Sequence, residues 1–221
     1  VTVRSPVQIA IALRTVAATG RPVHVALCTS SSMVAAWHGS SRVGANDRLA
    51  ATAEHVRTLL GGGRVNGFRL SQPPDPAPTI SVAAFGPRAV AVAAGFDRMV
   101  LNMVTVEAAR RLAAGHPNTA AWLCAAIEPT DEEREWLSRG FVGYLGAAGY
   151  SDMFIEAGFG ELGEFARSRP SPKQLYERIP GGLIDRVALI GSESTVRDGS
   201  PSTPQPGSPR CASSRRHRRC R

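Results

Sequence analysis

TISVAAFGPRAVAVAAGF, running from Thr79 to Phe96, decides the fold. Its opening residues, with Ile80 and Val82 among small neighbours, read as a buried strand over Ile80–Ala84. Gly86-Pro87 breaks that strand, and the Ala- and Val-rich run from Pro87 reads as a helix of small residues. Such a junction points backbone N–H groups at open space, which suits an anion. Gly86 lets a ligand approach the backbone closely, the helix brings its positive end, and Arg88 in the first turn can add a charge. The same residues also suit a plain loop-to-helix turn, because neither Walker A spacing nor the three-glycine dinucleotide fingerprint is present.

Outward from this stretch the pattern repeats. A strand over Met99–Leu101 precedes a helix from Thr105, and a strand over Ala120–Ile127 precedes a long helix opened by Thr130-Asp131-Glu132-Glu133. Thr130 and Glu133 have capping-box spacing, so the three acidic residues are read as helix N-terminal charges rather than as an acid/base pair. Helical segments fill 151–184, and a last strand is expected over Val187–Ile190. Upstream, Ser5-Pro6 opens an amphipathic helix, Val23–Leu27 is a short strand, and Asn46–Leu60 is a helix stopped by three glycines. Asn66-Gly67 marks a small hairpin. Strand and helix alternating at this spacing mean parallel βαβ units, an α/β protein with a buried sheet.

Ligands of parallel α/β folds lie beyond the carboxyl ends of the strands. The residues just past those ends here are Cys28-Thr29-Ser30-Ser31, then Phe85-Gly86, Asn102, Glu128 and Gly191-Ser192, nearly all polar or glycine. Trp37-His38, in the loop after the first strand, has the residue types to wall a pocket. His24 is expected to pack inside its strand, His55 to be solvated, and His116 to sit in a turn before Pro117. Cys28 and Cys124 read as small buried hydrophobes. No Ser-His-Asp order and no metal-binding cluster stands out, so no metal is expected.

At 221 residues and 43% hydrophobic content the chain can bury one sizeable core. No run of about 18 apolar residues suggests a membrane span. Four cysteines without metal spacing point to a reducing, cytoplasmic setting. The net charge of +8 is concentrated at one end: residues 198–221 hold six Arg and one Asp. That segment lacks periodicity and large apolar residues and is expected to be disordered, leaving 1–197 as the folded domain. The run RRHRRCR, 215–221, would bind nucleic acid only through phosphate charge, with no aromatic platform or recognition helix beside it. Neither a membrane nor nucleic acid is therefore the expected partner, and a homo-oligomer is left open.

Four segments resemble the luciferase-like monooxygenase superfamily, in particular its actinobacterial oxidoreductases that use the deazaflavin coenzyme F420. They are RPVHVALCTSSSMVAAWHG, RLAATAEHVRTLLGGGRVNGFRLS, PTISVAAFGPRAVAVAAGFDRMVLNMVT and PGGLIDRVALIGSESTV, in the family's order. The resemblance covers about residues 5–197 and implies a partial (β/α)8 TIM barrel, roughly its fourth to seventh units. It implies that the backbone around Ala84, Phe85, Gly86 and Arg88 helps hold a cofactor phosphate. Thr29, Ser30 and Ser31 would lie along the cofactor, with Trp37, His38, Asn102 and Glu128 toward the substrate. The implied reaction is hydride transfer between a small organic substrate and F420; relatives that use FMN are oxygen-activating monooxygenases instead.

By the same resemblance, three strands ahead of the first one here would be missing, and the Arg/Pro/Ser-rich segment would stand in place of the eighth unit. Much of the family's ring-binding wall and an acid/base would be missing with those strands. Cys28 stands where the family usually has Gly. Weak or absent turnover is the expectation, and no catalytic residue is assigned.

Overall fold

The computed structural model describes residues 4–147, 149–199 and, by its backbone, the strand 210–213. The elements in chain order are α1 (Pro6–Ala17), β1 (His24–Leu27), α2 (Ser32–Trp37), α3 (Ala45–Leu60), β2 (Thr79–Ala83), α4 (Pro87–Ala93), β3 (Arg98–Asn102) and α5 (Val106–Ala113). They continue with β4 (Thr119–Ile127), α6 (Asp131–Leu145), α7 (Tyr150–Glu156), α8 (Gly160–Arg167), α9 (Pro172–Tyr176), α10 (Leu183–Val187), β5 (Ala188–Gly191), α11 (Glu193–Gly199) and β6 (Arg210–Ser213). The strand order β1-β2-β3-β4-β5 runs in chain order, and the strands are parallel, an α/β partial TIM barrel. Consecutive parallel neighbours joined through helices are what βαβ units produce. The chain divides into two compact units, residues 1–100 with 115–118, and 101–114 with the residues from 119 onward.

In the first unit, β1 pairs with β2 from His24↔Thr79 to Leu27↔Val82, and β2 with β3 from Ser81↔Arg98 to Ala83↔Val100. α1 begins in a full capping box: Ser5 Oγ accepts from the Gln8 N–H at 3.2 Å, and Gln8 Oε1 accepts from the Ser5 N–H at 3.1 Å. α3 buries Leu49, Ala53, Val56 and Leu60, the three-to-four spacing of one helix face. Asn66 and Gly67 both adopt positive φ, 49° and 81°, in a turn closed by the Val65–Phe68 bridge, as the Asn-Gly pair requires. His24 differs from its expectation. It is exposed, because β1 is the end of the strand order and pairs only with β2 among the described residues.

In the second unit, β4 is nine residues long and, besides its neighbour β3, serves two further strands in turn. Its first half pairs with β6 (Ala120↔Arg210 to Leu123↔Ser213) and its second half with β5 (Cys124↔Ala188 to Ile127↔Gly191). Of the segment expected to be disordered, Asp198 and Gly199 close α11 and 210–213 form β6; the rest, including 214–221, lies outside the described residues. The strand expected over Val187–Ile190 is β5, shifted by one residue because Val187 still belongs to α10, and it is not the last, since β6 follows it. Between β4 and β5 the chain builds α6 to α10. α6 opens with the anticipated capping box, in which Glu133 accepts from the Thr130 N–H at 2.9 Å. Fully buried Phe141, Leu145, Met153, Phe154 and Leu183 form the core of this helical segment.

α7 and α8 meet at Gly163, where an added Cβ would stand 2.9 Å from the Ser151 carbonyl oxygen and collide with Ile155 Cγ1. Gly163→Ala is expected to destabilise the protein by about 1–3 kcal/mol through overpacking. Gly160→Ala, where a Cβ meets nothing within 4 Å, should leave stability within about 0.5 kcal/mol. Urea unfolding of the two variants checks both outcomes.

Candidate functional site

The first unit carries two of the anticipated loops, at the carboxyl ends of paired strands β1 and β2. Thr29, Ser30 and Ser31 are half-buried. Ser30 sits at φ 63°, an unusual conformation for serine, and the Arg42 guanidinium donates to its carbonyl oxygen. Ser31 Oγ is engaged as the cap of α2, accepting from the Val34 N–H at 3.2 Å.

Beyond β2, Ala84 is buried and its N–H donates to the Val100 carbonyl at 2.9 Å, while Phe85 and Gly86 are half-buried. Gly86 is the N-cap of α4 and Pro87 its first residue. Ser5, Ser31, Thr105, Thr130 and Ser171 cap their helices with hydroxyls, while α4, like α3, α7, α8 and α10, has no side-chain cap. An added Cβ at Gly86 would meet nothing within 4 Å. Arg88 is exposed on the same turn. The first-turn N–H groups of α4 thus have no side-chain cap, and the space beside the Gly86 α-carbon is open. α4 spans only seven residues, so backbone N–H donors rather than a long dipole are what it offers.

Trp37 and His38 end α2, with Trp37 71% exposed and His38 exposed beside it. His38 is the C-cap of the six-residue α2.

The second unit holds the other anticipated residues. Asn102, the last residue of β3, donates from Nδ2 to Tyr144 Oη at 2.9 Å, and its carbonyl accepts from Tyr150 Oη at 2.6 Å. The two tyrosine rings lie 5.2 Å apart at 57°. Burial, helped by neighbouring Tyr144, pushes the Tyr150 hydroxyl well above its ordinary pKa. Next in the chain, Met103 is at φ 53°, and Cys124 Sγ lies 3.9 Å from its Sδ. Glu128 is exposed at φ 47°, and its N–H donates to the Gly191 carbonyl at 2.8 Å. Ser192 Oγ accepts from the Thr195 N–H at 3.2 Å, so this hydroxyl is committed to the first turn of α11. Cys28 and Cys124 are half-buried rather than enclosed. Among the described residues, no group of three or more His, Cys, Asp or Glu is placed to hold a metal.

The structure therefore collects Thr29–Ser31 with Ala84–Arg88 in one unit, and Asn102, Glu128 and Gly191-Ser192 at strand ends in the other. Arg42, Tyr144 and Tyr150 were not anticipated. Arg42 lies 12 residues from Ser30, and the tyrosines lie 42 and 48 residues from Asn102, beyond any local pattern.

No protein-family model and no curated protein matches this chain. Among solved structures, it is similar to an F420-dependent secondary alcohol dehydrogenase in complex with an F420–acetone adduct. The TM-score is 0.51 at 12% identity, over 86% of this chain and 63% of the dehydrogenase. It is also similar to EDTA monooxygenase from Chelativorans sp. BNC1, at a TM-score of 0.41 and 14% identity, over 77% of this chain and 55% of that one. Both are members of the luciferase-like monooxygenase superfamily. The first likeness supports the fold alone, an α/β partial barrel. The chain spans less than two thirds of the dehydrogenase's length.

Glu128 holds its left-handed conformation at a cost that glycine would avoid. Glu128→Gly is expected to raise stability by about 0.5–1 kcal/mol, read from the urea midpoint at unchanged slope.

Proposed function

We propose that this chain is an oxidoreductase of the luciferase-like class, moving a hydride between a small organic substrate and coenzyme F420. The observation that carries the reading is the uncapped start of α4 beyond β2, at Gly86, in a fold shared with an F420-dependent dehydrogenase. The N–H groups of the first turn lack intrahelical partners by geometry, and no side chain at Gly86 competes for them. A cofactor phosphate fits that chemistry, and Arg88 is exposed on the adjoining turn to meet its charge. Thr29 and Ser30 would lie along the cofactor from the neighbouring strand end, with Arg42 fixing the Ser30 backbone. F420, when bound, supplies the hydride chemistry; the protein orients it and excludes water.

FMN also carries a phosphate, so the cradle alone does not select between the two. Titration of the purified chain with F420 and with FMN, followed by cofactor fluorescence, separates the F420 oxidoreductase from an FMN-dependent monooxygenase. The expected result is saturable binding of F420 in preference to FMN; tighter binding of FMN would replace the first reading with the second, and no binding of either would reject both.

Gly86→Asp tests the cradle directly. The backbone at Gly86 (φ −94°, ψ 166°) suits any residue and a Cβ has space, so an Asp there caps α4. Stability should hold or rise by a few tenths of a kcal/mol. The carboxylate occupies the donors and repels phosphate, so cofactor affinity should fall by about tenfold or more. Unchanged affinity in this variant would place the phosphate elsewhere.

A further inference from the structure

We infer that Tyr144 is a hydrogen-bond donor that seats the oxygen of a neutral carbonyl ligand at the carboxyl end of β3. Asn102, Tyr144 and Tyr150 form a directional chain. Asn102 Nδ2 donates to Tyr144 Oη at 2.9 Å, so the phenol oxygen is used as an acceptor and its own O–H remains to be given. Tyr150 does the opposite. Its O–H is committed to the Asn102 carbonyl at 2.6 Å, and burial keeps its proton in place. The tilted ring pair, 5.2 Å between centroids, packs Tyr144 against this fixed partner. One phenol therefore anchors the strand end, and the other is held by both its ring and its oxygen.

The setting determines the kind of ligand. Tyr144 and Asn102 are half-buried, neither enclosed in the core nor fully in solvent. Phe141 and Leu145, on the same helix, are fully buried, and the Met103 and Cys124 sulfurs lie beside Asn102 in the chain and on the next strand. No charged side chain takes part in the Asn102–Tyr144–Tyr150 hydrogen bonds. A single neutral donor, with no charged side chain in the two hydrogen bonds that hold it, favours one accepting oxygen on an uncharged organic molecule, such as a ketone, over a carboxylate or phosphate. The proposed oxidoreductase activity is needed only for calling that molecule a substrate. The donor itself rests on the geometry of the second unit.

The test uses two isosteric pairs, cyclohexanone with methylenecyclohexane and acetophenone with α-methylstyrene, in which only the accepting oxygen is replaced. Dissociation constants come from NMR titration of the full chain and its variants. The wild type is expected to favour at least one ketone over its hydrocarbon partner by about tenfold. Tyr144→Phe, which removes the hydroxyl alone, should abolish that preference. Asn102→Asp should abolish it too, because a carboxylate only accepts and draws the Tyr144 proton to itself. Asn102→Asp also decides the matter if Tyr144→Phe does not fold. The inference is overturned if the wild type shows no ketone preference, or if the preference survives in either folded variant. F420 and FMN titrations on the same samples report separately on the oxidoreductase reading. A Tyr144-dependent ketone preference without cofactor binding rejects that reading and keeps the carbonyl site; cofactor binding without the preference does the reverse.

Discussion

A buried imidazole sets the start of β3, and the register of the first unit depends on it. His116 Nδ1 accepts from the Asn118 N–H at 2.9 Å, which leaves Nε2 to donate to the Phe96 carbonyl at 3.0 Å. Asn118 continues the clip: its side chain donates to the Asp97 carbonyl and accepts from Arg98 Nε, and its own carbonyl accepts from the Met99 N–H. Asp97 then reaches β2, with Oδ2 accepting from the Ile80 N–H at 2.7 Å. Parallel strands have no hairpin to set their register, and a slip of one residue would turn every side chain to the other face. A polar clip at the amino ends does that work here, and so fixes where β2 releases Ala84 and Gly86 at the opposite ends.

Those opposite ends are where the backbone departs from ordinary conformations. Ser30, Met103 and Glu128, just past β1, β3 and β4, all have positive φ without being glycine. Each such residue costs roughly 1–2 kcal/mol relative to a relaxed backbone. They are held by identifiable bonds: Arg42 on the Ser30 carbonyl, the Trp122 carbonyl on the Met103 N–H, and the Gly191 carbonyl on the Glu128 N–H. Strain of this kind gathers at ligand-binding ends of folds, while the amino ends are made of relaxed, well-bonded turns. The polar residues that the sequence lines up after its strands are thus also the ones whose backbone is least free to relax.

The reach of each interaction decides how much of this was legible in the sequence. Thr130 and Glu133, Ser5-Pro6 and Asn66-Gly67 act within four residues, and the structure forms the caps and turn they announce. The alternation of strand and helix was equally plain, because burial repeats with a period the chain itself displays. His116 looked like a turn residue, since its partner Phe96 lies 20 residues away. The Asn102–Tyr144–Tyr150 chain was invisible for the same reason, and so was the pairing of 210–213 with β4. Trp37-His38 were legible by residue type, and the structure leaves both exposed at the end of a six-residue helix.

Gly86 brings the local and the distant readings together. Its backbone is extended, not left-handed, so conformational freedom does not explain a glycine there. The space beyond its α-carbon is open, so crowding does not explain it either. What a side chain at this position would change is access to the first-turn N–H groups, which Ser or Thr covers at five other helices and which are left without a side-chain cap at α3, α7, α8 and α10 as well. Leaving a cap as glycine costs only a few tenths of a kcal/mol. That small cost leaves donors uncovered past the carboxyl end of β2, while the strand paired with it, β1, leads into a serine at positive φ whose carbonyl accepts from Arg42. The combination is more specific than the Gly-Pro dipeptide alone, because the uncovered donors and the strained neighbour arise on adjacent paired strands and face the same end of the sheet.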